Sequence, residues 1–425
     1  MPRYALILWI MLYSVFMADG RVVVDSLTRT PLPNVSIFDR NGNFTAISGH
    51  DGRIPHIAES DYPITIRYIG FKELLVPAGA PDTLFMTEDV IELPEMVVNT
   101  RNRRMLHILA YVREYSTLSS FGDSVFLFRE KMVDFMLPSD KKMKFRGWRS
   151  PRVLASKSYY RFTNYHGLDS VSDRCHHHFS WTDWMGIVQP AHIPASLTSA
   201  EFATDTVRGR RGPTEIWTKN GDRLAIDINL EEDSISEKWM PNIDYFLGNG
   251  TDFDRFSLRL NYENVIGDSI LPIDLTGYSF AIESTGRGHN MFMFHRPDDP
   301  YFVSTYGEVY IIDKEYITIK EAKKWEALKQ DTGIIEIYEP AQAPDLQPAI
   351  KQLISRVESI DHTEVRTGLP TDKRLVAHHI KLNPGQQILS RLKQMFGIDA
   401  IIGDKKRNKE WKNFRKKQVE HNNSR

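Results

Sequence analysis

Val35-Ser36-Ile37-Phe38-Asp39, running on through Arg40 into Asn41-Gly42, is the stretch on which the fold class turns. Its apolar and polar side chains alternate, the period-two pattern of a strand with one buried face. Asn41-Gly42 is the strongest short hairpin signal, because both residues tolerate positive φ. Residues 43–48 then read as the returning strand. Working outward, Arg21-Val22-Val23-Val24-Asp25 is strand-like and is broken by Pro31-Leu32-Pro33. Asp51-Gly52 marks another turn, and Ile64-Thr65-Ile66-Arg67-Tyr68-Ile69 alternates again. Residues 71–76, 82–86 and 91–98 bring the total to about seven short strands, a rhythm that predicts a β-sandwich over residues 20–98. Such a core needs no catalytic residue to explain it.

The same segment carries ordered motifs: Gly20, Asp25, Pro31-Leu32-Pro33, Val35-Ser36-Ile37, Gly42, Asp51-Gly52, Tyr68-Ile69-Gly70-Phe71, then Leu93, Glu95 and Val97-Val98. In that order they resemble the carboxypeptidase regulatory-like domain, which is common in envelope proteins of Bacteroidota and often heads TonB-dependent outer-membrane receptors. Two positions depart from the family pattern: Asn34 stands where glycine is usual, and Arg53 follows Asp51-Gly52 where an aromatic is usual. The resemblance covers under a quarter of the chain. It implies a transthyretin-like sandwich with a structural or docking role and no active site of its own. It does not imply a receptor, since a plug and large barrel need several hundred residues more than the ~325 that follow Val98.

The amino-terminal residues bear on location. Arg3 precedes an apolar run from Tyr4 to Met17, followed by Ala18-Asp19-Gly20. A positive start, a short apolar stretch and a small residue before polar sequence predict a secretory signal peptide over residues 1–18, although Phe16 is large for the cleavage motif. No cysteine follows the run, so a lipoprotein anchor is not expected. The protein is therefore expected to be exported, to the periplasm or the periplasmic face of the outer membrane. The 425 residues carry a formal net charge of -1, which gives no global reason to expect nucleic acid as a partner. Cys175 is the one cysteine, so the chain can form no internal disulfide.

Asn99-Thr-Arg-Asn-Arg-Arg104 is the best boundary, opening an expected α+β domain over residues 105–340. Leu106, Leu109, Ala110 and Val112 suggest a helix over 105–119. Residues 124–136 mix signals, with Val125-Phe126-Leu127-Phe128 favouring strand. Six basic side chains between Lys141 and Arg152 read as a solvated loop. Asp173-Arg174-Cys175-His176-His177-His178 holds the weak metal candidates, His176 and His178, which would share one face of a strand. Adjacent histidines lack the spacing that lets two ligands converge, so no metal is assigned. From Thr214 onward a meander of antiparallel strands is expected, with Asn220-Gly221-Asp222 as one turn. Residues 278–283, 291–295, 301–305, 307–312 and 316–319 are its later strands. Gly307-Glu308-Val309-Tyr310-Ile311-Ile312-Asp313 resembles the half-barrel sheet of outer-membrane lipoprotein carriers, whose concave face would hold an acyl chain or a partner's strand.

Residues 320–330 predict a short helix. Residues 341–425 form the expected helical carboxy-terminal region, with helices over 349–359 and 385–395 and a basic tail from Lys405 to Lys417 that includes Trp411 and Phe414. The tail would touch an anionic membrane surface peripherally before it would bind nucleic acid. No Gly-x-Ser-x-Gly, phosphate loop or His-Glu-x-x-His is present, so no catalytic residue and no cofactor are assigned. The fold class is mainly β with α, a sandwich followed by an antiparallel sheet and carboxy-terminal helices. The function expected is non-catalytic binding or assembly in the envelope, with an unknown envelope protein or a lipid as partner and no nucleic acid. A lipid or lipoprotein carrier is the first alternative, and a hydrolase, metal-dependent through the histidines, is the second.

Overall fold

The alternation around Val35 produces the sandwich it predicts. A computed structural model describes residues 20–89, 104–120, 123–139, 143–175, 180–187, 190–209, 213–229, 239, 251–287, 300–328 and 335–360. Strands β1 (Val22–Asp25), β2 (Ser36–Phe38), β3 (Phe44–Ile47), β4 (Ile64–Arg67), β5 (Leu74–Val76) and β6 (Thr83–Met86) form two sheets. One has the order β3-β2-β4-β5 and the other is the parallel pair β1-β6. Between them lie Val23, Ile37, Ile64, Ile66, Val76, Leu84 and Met86. Residues 91–98, the expected seventh strand, lie outside the described residues.

The Asn41-Gly42 turn joins β2 to β3. Asp39 accepts from the backbone N–H groups of Asn41 and Asn43, each at 2.8 Å. Gly42 has φ +80°, and a Cβ there would lie 2.9 Å from the Ile350 side chain. Asn34 also takes a left-handed conformation, φ 56°, which asparagine tolerates better than most residues.

Beyond the sandwich the chain builds one ten-stranded antiparallel sheet. Its strands are β7 (Met105–Ser120), β8 (Asp123–Pro138), β9 (Trp148–Asn164), β10 (Asp169–Ser172), β12 (Phe202–Arg208), β13 (Pro213–Asn220), β14 (Arg223–Asn229), β15 (Thr251–Tyr262), β17 (Leu275–Arg287) and β18 (Pro300–Ile317). The order is β10-β9-β8-β7-β18-β17-β15-β14-β13-β12, open at both ends. The short strands β11 (Ala191–His192) and β16 (Ser269–Ile270) pair separately. The helices described are α1 (Ala195–Thr198), α2 (Ile319–Glu326) and α3 (Pro348–Glu358). The last two match the helices expected near 320 and 349. The helix expected over 385–395 and the basic tail lie outside the described residues.

Three expectations are corrected. Residues 105–119 are a strand, not a helix, pairing along their whole length with β18 and β8. Both faces of β7 are buried, so the period-two signal disappears: Leu106, Ile108, Ala110 and Val112 face one core while Met105, Tyr111 and Tyr115 face others. Segments 301–305, 307–312 and the start of 316–319 are one strand, β18, which ends at Ile317, rather than three. Its run is continued through Tyr306 and Lys314, while Gly307 leaves room for the Phe280 ring beside it. The basic stretch near Lys141 is not wholly a loop, because Trp148 begins β9 and Arg152 binds Asp134 at 2.5 Å.

The two faces of the large sheet are covered differently. On one, Val112, Leu127, Phe135, Leu258 and Phe280 pack with Trp181, Met185, Ile187 and Leu197, so the chain's own residues near 181–197 lie over this apolar face. On the other, Tyr115, Phe128 and Tyr306 meet Phe38 and Phe44 of the sandwich and Ile350, Leu353 and Val357 of α3. The Phe38 ring sits edge-on to Tyr115 and Tyr306, each at 5.2 Å between centroids. Burying an aromatic of this size stabilises by roughly 1.5–3 kcal/mol. The sandwich is thus seated on the sheet.

A candidate binding cleft between sandwich and sheet

β4 presents alternate residues to opposite sides. Ile64 and Ile66 enter the sandwich core, which directs Arg67 towards the large sheet. Arg67 is buried. Its Nε donates to Glu73 at 2.6 Å, and its Nη1 donates to the Tyr115 hydroxyl at 2.5 Å and to Glu308 at 3.4 Å. Glu308 also accepts from the Tyr306 hydroxyl at 3.1 Å. Burial works against the Arg67 charge, but Glu308, Tyr115 and Glu73 outweigh it and hold the guanidinium firmly protonated.

The next residue builds a second polar junction. Tyr68 donates its hydroxyl to Asp227 on β14 at 2.8 Å. Arg259 on β15 pairs with the same carboxylate at 2.6 Å, donates to the Ile69 carbonyl at 3.2 Å, and lies 3.8 Å from the centre of the Tyr68 ring. Burial pushes the Asp227 carboxyl up, and Arg259 and the Tyr68 hydroxyl pull it partly back. Gly70 lets the chain turn away: it has φ +86°, and a Cβ there would sit 3.0 Å from the Asn261 side chain.

Beside these junctions the sandwich and sheet enclose a cleft of about 610 Å³. That volume lies within the usual range for small-ligand sites. Its apolar wall includes Leu32, Phe71, Phe202, Ile216, Leu224 and Tyr310. Seven carboxylates line it: Asp25, Glu73, Glu88, Asp89, Asp227, Glu263 and Glu308. Four guanidinium or ammonium groups face them, from Arg67, Lys219, Arg223 and Arg259. Arg67 and Arg259 are engaged as described, Arg223 lies 3.5 Å from Glu263, and Lys219 donates to the Leu197 carbonyl at 3.0 Å. The balance of the lining is acidic. Arg67 Nη2, Asn261 Oδ1 and Gln342 Oε1 are buried and have no hydrogen-bond partner among the described residues, and all three side chains line the cleft.

His176 and His178 lie outside the described residues. Cys175 is half-buried against the large apolar core. Among the described residues, no group of three His, Cys, Asp or Glu side chains is placed to hold a metal ion, and no helix is long and apolar enough to cross a membrane. Just after the histidines, the chain from Ser180 to Asp183 is tied to the sheet by a buried ion pair. Lys131 Nζ lies 3.3 Å from Glu114 and 2.6 Å from Asp183. Glu114 accepts from Ser180 at 2.6 Å, Thr182 at 2.7 Å and the Trp181 backbone N–H at 3.0 Å. Burial raises the Glu114 carboxyl, and Lys131, with Arg129 and Ser180, lowers it further, so it titrates below the ordinary range.

Sequence reading passed over Arg67, Asp227, Arg259 and Glu308. The available signal was a charged residue set in an apolar strand, as in Ile66-Arg67-Tyr68 and Gly307-Glu308-Val309. Such residues are rarely buried unless paired.

No family model and no curated protein matches the chain. Among solved structures, one described as "Lipid-protein interactions in lipovitellin" aligns with 8% sequence identity over 51% of this chain and 26% of that one, with a TM-score of 0.23. The chain spans about a quarter of the length of that structure, and a likeness at this level does not define a common fold.

Proposed function

We propose that this is a non-catalytic, exported cell-envelope protein that binds a partner in the cleft between sandwich and sheet. The observation that carries the binding reading is the cleft itself. The sandwich and the sheet wall it, and its lining includes Arg67, a buried guanidinium whose Nη2 has no hydrogen-bond partner among the described residues. A donor of this kind costs free energy when it is left unpaired, and a bound acceptor removes that cost. The export reading rests on the amino-terminal sequence pattern and on the resemblance of residues 20–98 to the carboxypeptidase regulatory-like domain.

The carrier alternative asks for an apolar cavity against the sheet. The apolar face of the sheet instead holds Trp181, Met185, Ile187 and Leu197, and the cleft on the other face is rich in charge. A partner that carries both apolar and charged groups therefore fits the lining better than an acyl chain alone.

The test is a fragment screen by crystallography and ligand-observed NMR on the full chain and on Thr218→Trp. Thr218 is exposed and lines the cleft, so the indole fills it without entering a core. Fragments should cluster in the cleft of the parent and be lost from the variant. Hits confined to other surfaces would overturn the assignment. Fractionation of cells expressing the full chain tests export separately, and a cytoplasmic protein would sink that part.

A further inference from the structure

The cleft reaches a sheet edge that is unpaired among the described residues. β12 is the terminal strand of the large sheet and pairs only with β13 among the described residues. Phe202, Ala203 and Thr204 of this edge line the cleft. Phe202 and Thr204 pair with Asn220 and Thr218, which line the same cleft, so alternate side chains of a strand laid beside β12 would point into it. Phe202 is 67% exposed and Val207 44%. Natural edge strands are usually blunted by charges, prolines or bulges. Here the charge, Asp205, which accepts from the Thr206 N–H at 2.7 Å and from Ser196, and the register shift at Val207 and Arg208 both come beyond the part that borders the cleft.

The polar groups in the cleft point to the same kind of occupant. Arg67, Asn261 and Gln342 line it, and each holds a buried polar atom without a partner among the described residues, Nη2 a donor and Oδ1 and Oε1 acceptors, of the kinds that a peptide's carbonyl and N–H groups satisfy. Arg67 is shared between two carboxylates, and Glu88 and Asp89 add negative charge that no ion pair among the described residues offsets. A chain carrying lysine or arginine meets that charge, whereas an acidic one is repelled.

We propose that the cleft takes an extended, cationic segment of another polypeptide, which adds as a strand to the free edge of β12. This inference rests on the binding role of the cleft and specifies its partner. Strand addition draws affinity from main-chain hydrogen bonds and specificity from alternate side chains.

The experiment uses the full chain and three short fluorescein-labelled probes: an alternating Lys-Val peptide, its Glu-Val counterpart, and the Lys-Val peptide N-methylated at alternate amides. Fluorescence anisotropy should show the Lys-Val peptide binding at least about tenfold more tightly than either of the others. Glu88→Gln combined with Asp89→Asn should weaken it about fivefold, with the thermal midpoint unchanged. Equal binding of the Lys-Val and Glu-Val peptides overturns the charge assignment, and equal binding of the N-methylated peptide overturns strand addition. If none of the probes binds while fragments still occupy the cleft, this inference fails and the cleft's binding role stands. If fragments also miss the cleft, both fail.

Discussion

Lys131 and Glu114 are both fully buried on the apolar side of the sheet, where each charge depends on the other. Removing one partner of a buried pair costs ~3–5 kcal/mol, because the survivor is left uncompensated. Lys131→Met is expected to lose stability on that scale in urea unfolding. Adding Glu114→Gln should recover part of the loss, since glutamine removes the stranded charge and still accepts from Ser180 and the Trp181 N–H. A double variant no better than Lys131→Met would refute this account. The same pair sets an acid response. Glu114 titrates below its ordinary value in the fold, so the unfolded chain takes up its proton at the higher pH. Its stabilising contribution is therefore complete above the unfolded value, about 4.3, and is lost as pH falls through the folded one. Unfolding midpoints between roughly pH 5 and pH 3 should fall more steeply for the parent than for Glu114→Gln; parallel slopes would remove Glu114 from the acid response.

At the scale of elements, α2 shows a helix legible in advance. Thr318 accepts from the Glu321 backbone N–H, and the Glu321 side chain accepts from the Thr318 N–H, a complete capping box. Thr318→Ala should cost about 1 kcal/mol and Thr318→Ser only a few tenths, read as thermal midpoints; equal midpoints for the two would show that the cap contributes nothing. β7 is the opposite case. Leu106, Leu109, Ala110 and Val112 suit one face of a helix on paper, but Tyr111, Tyr115 and Thr117 favour strand. Long-range pairing with β8 and β18 decided between them, and single-sequence periodicity contains no record of a partner.

At the scale of the molecule, the sandwich and the sheet share a core. Tyr115 touches Phe38 and accepts from Arg67, both sandwich residues, while its backbone belongs to the middle of β7. Tyr115→Ala should therefore destabilise by ~3–5 kcal/mol and loosen both units together. Hydrogen exchange should accelerate in residues 36–38 and 64–67 as well as in 105–120. Loosening limited to the sheet would mean that the sandwich folds independently of its seat.

The hairpin at Asn41-Gly42, six of the sandwich strands, the Asn220-Gly221-Asp222 turn and two helices were readable in the sequence, because turn chemistry, alternation and helical spacing are local. The cleft was not. Arg67 and Tyr68 lie next to each other in β4 and the residue after it, yet Arg67 meets Glu308 while Tyr68 meets Asp227 and Arg259, partners 159 to 241 positions away. Whether such a charge is a solvated ornament or a buried anchor depends on which strand is laid against it. That choice belongs to the packing of the sandwich on the sheet, where desolvation makes each buried charge require its partner.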